Sequence, residues 1–123
     1  MILVDTPIWV DHLRSGDDLL ASLLDENRVL MHPFVWGEIA LGQLHARQMI
    51  FDQLAGLPPA RLAETDEVLS LIERASLFGS GIGYVDAHLV ASVRLTKGAS
   101  LWTRDKRLAA VAERLSVAAR VVH

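Results

Sequence analysis

Asp5, Glu38, Asp86 and Asp105 are the side chains in this sequence whose type and placement suit chemistry best. Asp5 ends the apolar run Met1-Ile2-Leu3-Val4, and Asp105 closely follows the run Ser100-Leu101-Trp102-Thr103. Asp86 stands in the first turn of a helix entered from Gly79-Ser80-Gly81-Ile82-Gly83, and Glu38 interrupts the apolar series from Phe34 to Leu41. Taken singly, Asp86 and Asp105 read equally well as acids that start a helix. Asp5 has no obvious local partner, because Thr6 as N-cap and Pro7 at the first helical position already open the next helix. Glu38, read as lying on a helix buried nearly all round, needs a proton, an arginine or a metal ion. Jointly, four like charges at one edge of a sheet repel one another and call for a cation. Hard oxygen donors without Cys or clustered His point to Mg²⁺, with Mn²⁺ able to substitute, and away from zinc. Such an acid-walled site suits phosphodiester hydrolysis by an activated water.

Other chemistries fit less well. The 123 residues contain no cysteine, which excludes a disulfide scaffold, a thiolate nucleophile and an iron–sulfur cluster. His12, His32, His45, His88 and His123 show no metal-ligand spacing, and the helical twist turns His88 away from Asp86. The glycine-rich loop lacks the Lys-Ser/Thr ending of a phosphate-binding P-loop and reads as a flexible hinge. Trp9, Trp36 and Trp102 fall inside apolar patterns, as core residues do. Seven basic residues face two acidic ones between Ala87 and His123, against five basic and thirteen acidic in the remainder, so the net charge of -3 conceals a basic C-terminal third. No apolar run approaches the roughly 18 residues that span a bilayer, and the opening run meets Asp5 too soon for a signal peptide. A cytoplasmic location is the expectation.

The elements that must hold these acids alternate. Strands are expected at residues 1–4, 28–31 and 100–103, with weaker ones at 61–63 and 120–122. Helices are expected from Pro7 to Leu13, Asp17 to Glu26, Pro33 to Leu44, Ala46 to Leu54, Val68 to Ala75, Tyr84 to Thr96 and Asp105 to Leu115. With half its residues hydrophobic, the chain can bury a core as one α/β domain spanning 1–123. Its sheet should be mostly parallel, with four to five short strands flanked by helices, and the acids should gather at the strands' C-terminal ends.

Val4-Asp5-Thr6, Gly37-Glu38, Val85-Asp86-Ala87 with Leu89-Val90-Ala91-Ser92, and Trp102-Thr103-Arg104-Asp105-Lys106-Arg107-Leu108 resemble the acidic motifs of PIN-domain ribonucleases. In order, spacing and length the chain is similar to the VapC toxins of type II toxin–antitoxin pairs. The resemblance implies a PIN-like three-layer fold and Mg²⁺-dependent endonucleolytic cleavage of RNA. It implies Asp5 and Asp86 as principal metal ligands, with Glu38 and Asp105 completing the pocket and Thr103 positioning water or a carboxylate. Pro7 departs from it, since many relatives carry Ser or Asn after Asp-Thr. Arg104, Lys106 and Arg107 beside Asp105 are the expected RNA contacts. A homodimer controlled by a cognate antitoxin is also implied, with Leu57-Pro58-Pro59 and the helices around Phe51 and Ile72 as candidate interfaces; for Ile72, burial in the core is the competing explanation. The other readings are a catalytically inactive partner-binding domain and a receiver-like phosphoacceptor domain. A receiver is disfavoured by the single acid at Asp5 and the missing late Lys-Pro.

Overall fold

A computed structural model describes residues 1–121. Its elements run β1 (Ile2–Val4), α1 (Thr6–Ser15), α2 (Asp18–Asp25), β2 (Val29–Leu30), α3 (Pro33–Ala40), α4 (Arg47–Ala55), α5 (Thr65–Arg74), α6 (Tyr84–Leu95), β3 (Ser100–Trp102) and α7 (Lys106–Arg114). The sheet is parallel in the order β2-β1-β3, with Ile2 opposite both Val29 and Ser100, and Val4 opposite Trp102. Because the chain leaves β1 for β2 on one side and returns to β3 on the other, the C-terminal end of β1 lies where the strand order reverses. A crevice opens at such a point in α/β sheets.

The central strand is buried on both faces, as Ile2, Leu3 and Val4 have almost no accessible surface. Each such side chain contributes about 1.5–3 kcal/mol relative to exposure. α6 is the most enclosed helix, with every residue from Ala87 to Val93 buried. That enclosure fixes the height of Asp86, one residue before the buried stretch. Trp9 and Trp102 are core residues, as expected, and Trp36 is partly buried against the same core.

Four expectations need correction. Three strands, not four or five, form the sheet among the described residues, and the outer positions are single bridges, Met31 with Pro59 and Leu101 with Ala118. Residues 61–63 carry no strand, and the Arg61 N–H is bonded to Thr96 Oγ1 at 2.9 Å and not to a sheet neighbour. Arg120 and Val121 carry no strand, and Val122 of the last expected strand lies outside the described residues. The helix from Pro33 stops at Ala40 instead of reaching Leu44, and only Val35 and Ile39 on it are buried. Asp5, not Thr6, is the N-cap of α1. Phe51, Leu57 and Ile72 pack partly against the core, whereas Met1, Val10, Phe34, Leu41, Met49, Leu62, Leu69, Phe78 and Tyr84 are the exposed large apolar residues among those described.

Candidate functional site

Four elements deliver the four acids to one cleft of about 410 Å³, bordered by Asp5, Thr6, Pro7, Val10, Asp11, Arg14, Glu38, Asp86 and Asp105. Asp5 is fixed first, because its N–H bonds to the Trp102 carbonyl at 2.9 Å and extends the β1–β3 pairing by one residue. Its buried carboxylate accepts from the Thr6 N–H at 2.9 Å through Oδ1 and from Thr103 Oγ1 at 2.7 Å through Oδ2. Thr103 in turn accepts the Asp105 N–H at 3.1 Å, so one hydroxyl ties the ends of β1 and β3 together. Asp105 caps α7 by accepting the Leu108 N–H at 3.0 Å through Oδ1. The capping role and the cleft position therefore coexist. Asp86 accepts the Gly83 N–H at 3.1 Å, which orients it from the first turn of α6.

Glu38 corrects an expectation. It is exposed, because α3 turns the stripe carrying Val35 and Ile39 inward and leaves Glu38 at the cleft mouth. Thr6 Oγ1 donates to Glu38 Oε1 at 2.6 Å, joining α1 to α3. Thr6, Asp11 and Arg14 escaped sequence reasoning as site residues. For Asp11 and Arg14 the available signal is the spacing of 7, 10, 11 and 14, which forms one stripe of α1.

The carboxylates feel one another. Burial raises Asp5 above its ordinary value of 3.8, the charges of Asp86 and Glu38 add to this, and the Thr103 and Thr6 hydrogen bonds oppose it. Burial likewise raises Asp86, with Asp105 and Glu38 adding to it and the Gly83 N–H opposing. Such a site attracts a proton or a cation. His88 takes no part: it is buried, its ring meeting Phe34 and Tyr84 edge-on at 4.8 and 4.6 Å. His32 caps α3 by accepting the Phe34 N–H through Nδ1, and burial beside His88 pushes it down to about 4, so it is neutral at physiological pH.

Residues 2–114 match the family model of the PIN domain. The chain belongs to the PIN-domain family. Ribonuclease VapC32 of Mycobacterium tuberculosis, in strains CDC 1551 / Oshkosh and ATCC 25618 / H37Rv, is 48% identical over 118 residues, which cover 96% of this chain and 95% of that protein. This PIN domain is of the VapC type. Among solved structures, the crystal structure of FitAcB from Neisseria gonorrhoeae superposes with a TM-score of 0.66 at 21% identity, covering 92% of this chain and 94% of that one. FitAB bound to an IR36 DNA fragment gives 0.61 at 19% identity, covering 92% and 91%. Both likenesses carry the fold.

The basic residues of the PIN domain beside Asp105 are partly engaged. Arg104 lies over the Trp102 ring, 5.3 Å from its centroid, and pairs with Asp17, holding that carboxylate below its usual range. Arg107 lies across Gly81, whose φ is +87°; a Cβ there would stand 2.6 Å from Arg107 Cδ. Gly81→Ala should therefore lower stability by about 1–2 kcal/mol from backbone strain alone, and by more if Arg107 cannot move. Gly79→Ala, with φ +74° and open space around it, isolates the backbone part. Urea titration of both variants measures the difference, and equal losses would mean that Arg107 yields freely.

Proposed function

We propose that the protein is a metal-dependent endoribonuclease, the toxin of a toxin–antitoxin pair, which hydrolyses RNA phosphodiester bonds. The observation that carries this reading is the convergence of Asp5, Glu38, Asp86 and Asp105 on one cleft, with Asp5 and Asp86 both raised by burial and by neighbouring carboxylates. Kinship with a protein named a ribonuclease supports RNA as the substrate. Asp5 and Asp86 would be the principal ligands of Mg²⁺ or Mn²⁺, with Glu38 and Asp105 completing the pocket directly or through water. Among the described residues no three such side chains are gathered closely enough to cage an ion. This donor set suits Mg²⁺, which is usually held by one or two carboxylates and keeps several waters. When bound, the ion would lower the pKa of a water and stabilise charge on the phosphoryl and leaving oxygens.

The chain's own groups do the positioning. Thr103 and the Thr6 N–H fix the Asp5 carboxylate, Gly83 fixes that of Asp86, and Thr6 restrains Glu38 at the mouth. Arg104, Lys106 and Arg107 would meet RNA phosphates at the rim. An antitoxin segment placing an Arg among the carboxylates would inhibit by pairing with them and displacing the metal. Work as a homodimer in a reducing cytoplasm belongs to the same reading, and the lack of cysteine suits that compartment.

Incubating the purified chain with a panel of RNAs in Mg²⁺, in Mn²⁺ and in EDTA tests the proposal. Cleavage with either metal and none in EDTA is expected. RNA left intact in all three, with a partner protein still bound, would leave a catalytically inactive binding domain.

A further inference from the structure

Among the described residues that border the acidic cleft, Arg14 is the one Lys or Arg; the other charged groups there are Asp5, Asp11, Glu38, Asp86 and Asp105. α1 accounts for its position, because Pro7, Val10, Asp11 and Arg14 follow at spacings of three and four along one stripe, while Ile8 and Trp9 anchor the helix in the core. Stability does not require Arg14. Its partner is Asp11 at 3.5 Å, and both side chains are more than half exposed, so the pair contributes little to folding.

Asp11 is also shared. Arg104, already braced by Trp102 and Asp17, approaches Asp11 Oδ2 at 3.7 Å while Arg14 approaches Oδ1. Two guanidinium groups thus flank one carboxylate beside a cleft that is otherwise acidic. A phosphodiester offers the same pair of charged oxygens that a carboxylate does, and guanidinium groups bind either one.

We propose that Arg14 and Arg104 form a seat for an RNA phosphate, which Asp11 occupies until the strand displaces it. The proposal rests on the ribonuclease reading and adds to it the path of the strand, from the four acids along α1. The nine steps from Asp5 to Arg14 rise roughly 13 Å along the helix, so the seat holds a phosphate further along the strand and not the cleaved one. Asp11 then acts as a built-in competitor that weakens binding of any short or poorly seated strand.

Binding of a single-stranded RNA oligonucleotide to Asp5→Asn protein, followed by fluorescence anisotropy over a range of salt in EDTA, separates this from catalysis. Adding Arg14→Ala should weaken binding several-fold and reduce the slope of log K against log salt by about 0.7, the share of one single-strand phosphate contact. Arg14→Lys should keep most of the slope. Asp11→Asn should tighten binding, and more than Asp66→Asn, which removes the same charge from α5. An unchanged slope in Arg14→Ala, or equal gains from Asp11→Asn and Asp66→Asn, would overturn the seat. Failure of the unmutated protein to cut RNA in Mg²⁺ would instead overturn the ribonuclease reading, and the binding series would still decide the seat.

Discussion

Asp5→Asn should reduce RNA cleavage by at least about 100-fold on the proposed metal-site reading, since such a ligand would contribute to several kcal/mol of transition-state stabilisation. The same substitution should raise the melting temperature of the metal-free protein at neutral pH. Burial, with Asp86 and Glu38 nearby, raises the folded-state value of Asp5 above 3.8. Below 3.8 the group is largely protonated in both states and costs the fold nothing. As pH climbs from there through the raised value, the unfolded chain has released a proton that the folded one still holds, and stability falls. Asparagine removes that loss. The gain of Asp5→Asn over the unmutated protein should therefore be small near pH 3.5 and larger at pH 7.5 in EDTA, and Mg²⁺ should narrow it by stabilising the native carboxylate site. Asp86→Asn should behave alike, because burial, Asp105 and Glu38 raise Asp86 in the same direction. Thermal melts at the two pH values, with and without Mg²⁺, measure this. Full cleavage by Asp5→Asn would sink the metal-site reading, and a variant less stable at pH 7.5 would sink the electrostatic one.

Thr103→Val should slow cleavage by about 10–100-fold, the usual penalty for losing a group that orients a metal-binding side chain. The hydroxyl does two things at once: it donates to Asp5 Oδ2 at 2.7 Å and accepts the Asp105 N–H at 3.1 Å. Valine matches its shape and does neither. The Thr103 hydrogen bond lowers Asp5 against the raising effect of burial, so its loss should move the acidic limb of the pH–rate profile upward. Thr103→Ser should restore both rate and profile. A pH–rate profile for all three proteins decides, and a Thr103→Val limb that coincides with the unmutated one would remove Thr103 from any role in holding Asp5.

The elements were legible in the sequence because the signals that make them are local. The run Ile2-Leu3-Val4 followed by Asp5 and Pro7 announces a strand and a helix start within a few residues, and Ser100-Leu101-Trp102 before Asp105 does so again. Parallel pairing follows from the alternation of strands and helices, and it brings the acids after β1 and β3 to the same edge. Asp5, Glu38, Asp86 and Asp105 were accordingly recognisable as one set. Their relations were not. Thr103 reaches Asp5 across 98 positions, Arg104 reaches Asp17 across 87, and Thr6 reaches Glu38 across 32. Contacts of that separation depend on how helices rotate and seat on the sheet, which local propensity does not encode. For the same reason Glu38, which an apolar neighbourhood marked as buried, is exposed at the cleft mouth, and Arg14 reaches the cleft from the exposed stripe of α1. The missing strand at 61–63 is of the same kind, since the Arg61 N–H is bonded to the Thr96 hydroxyl 35 positions away. Local propensity at residues 61–63 does not encode a contact between segments that far apart.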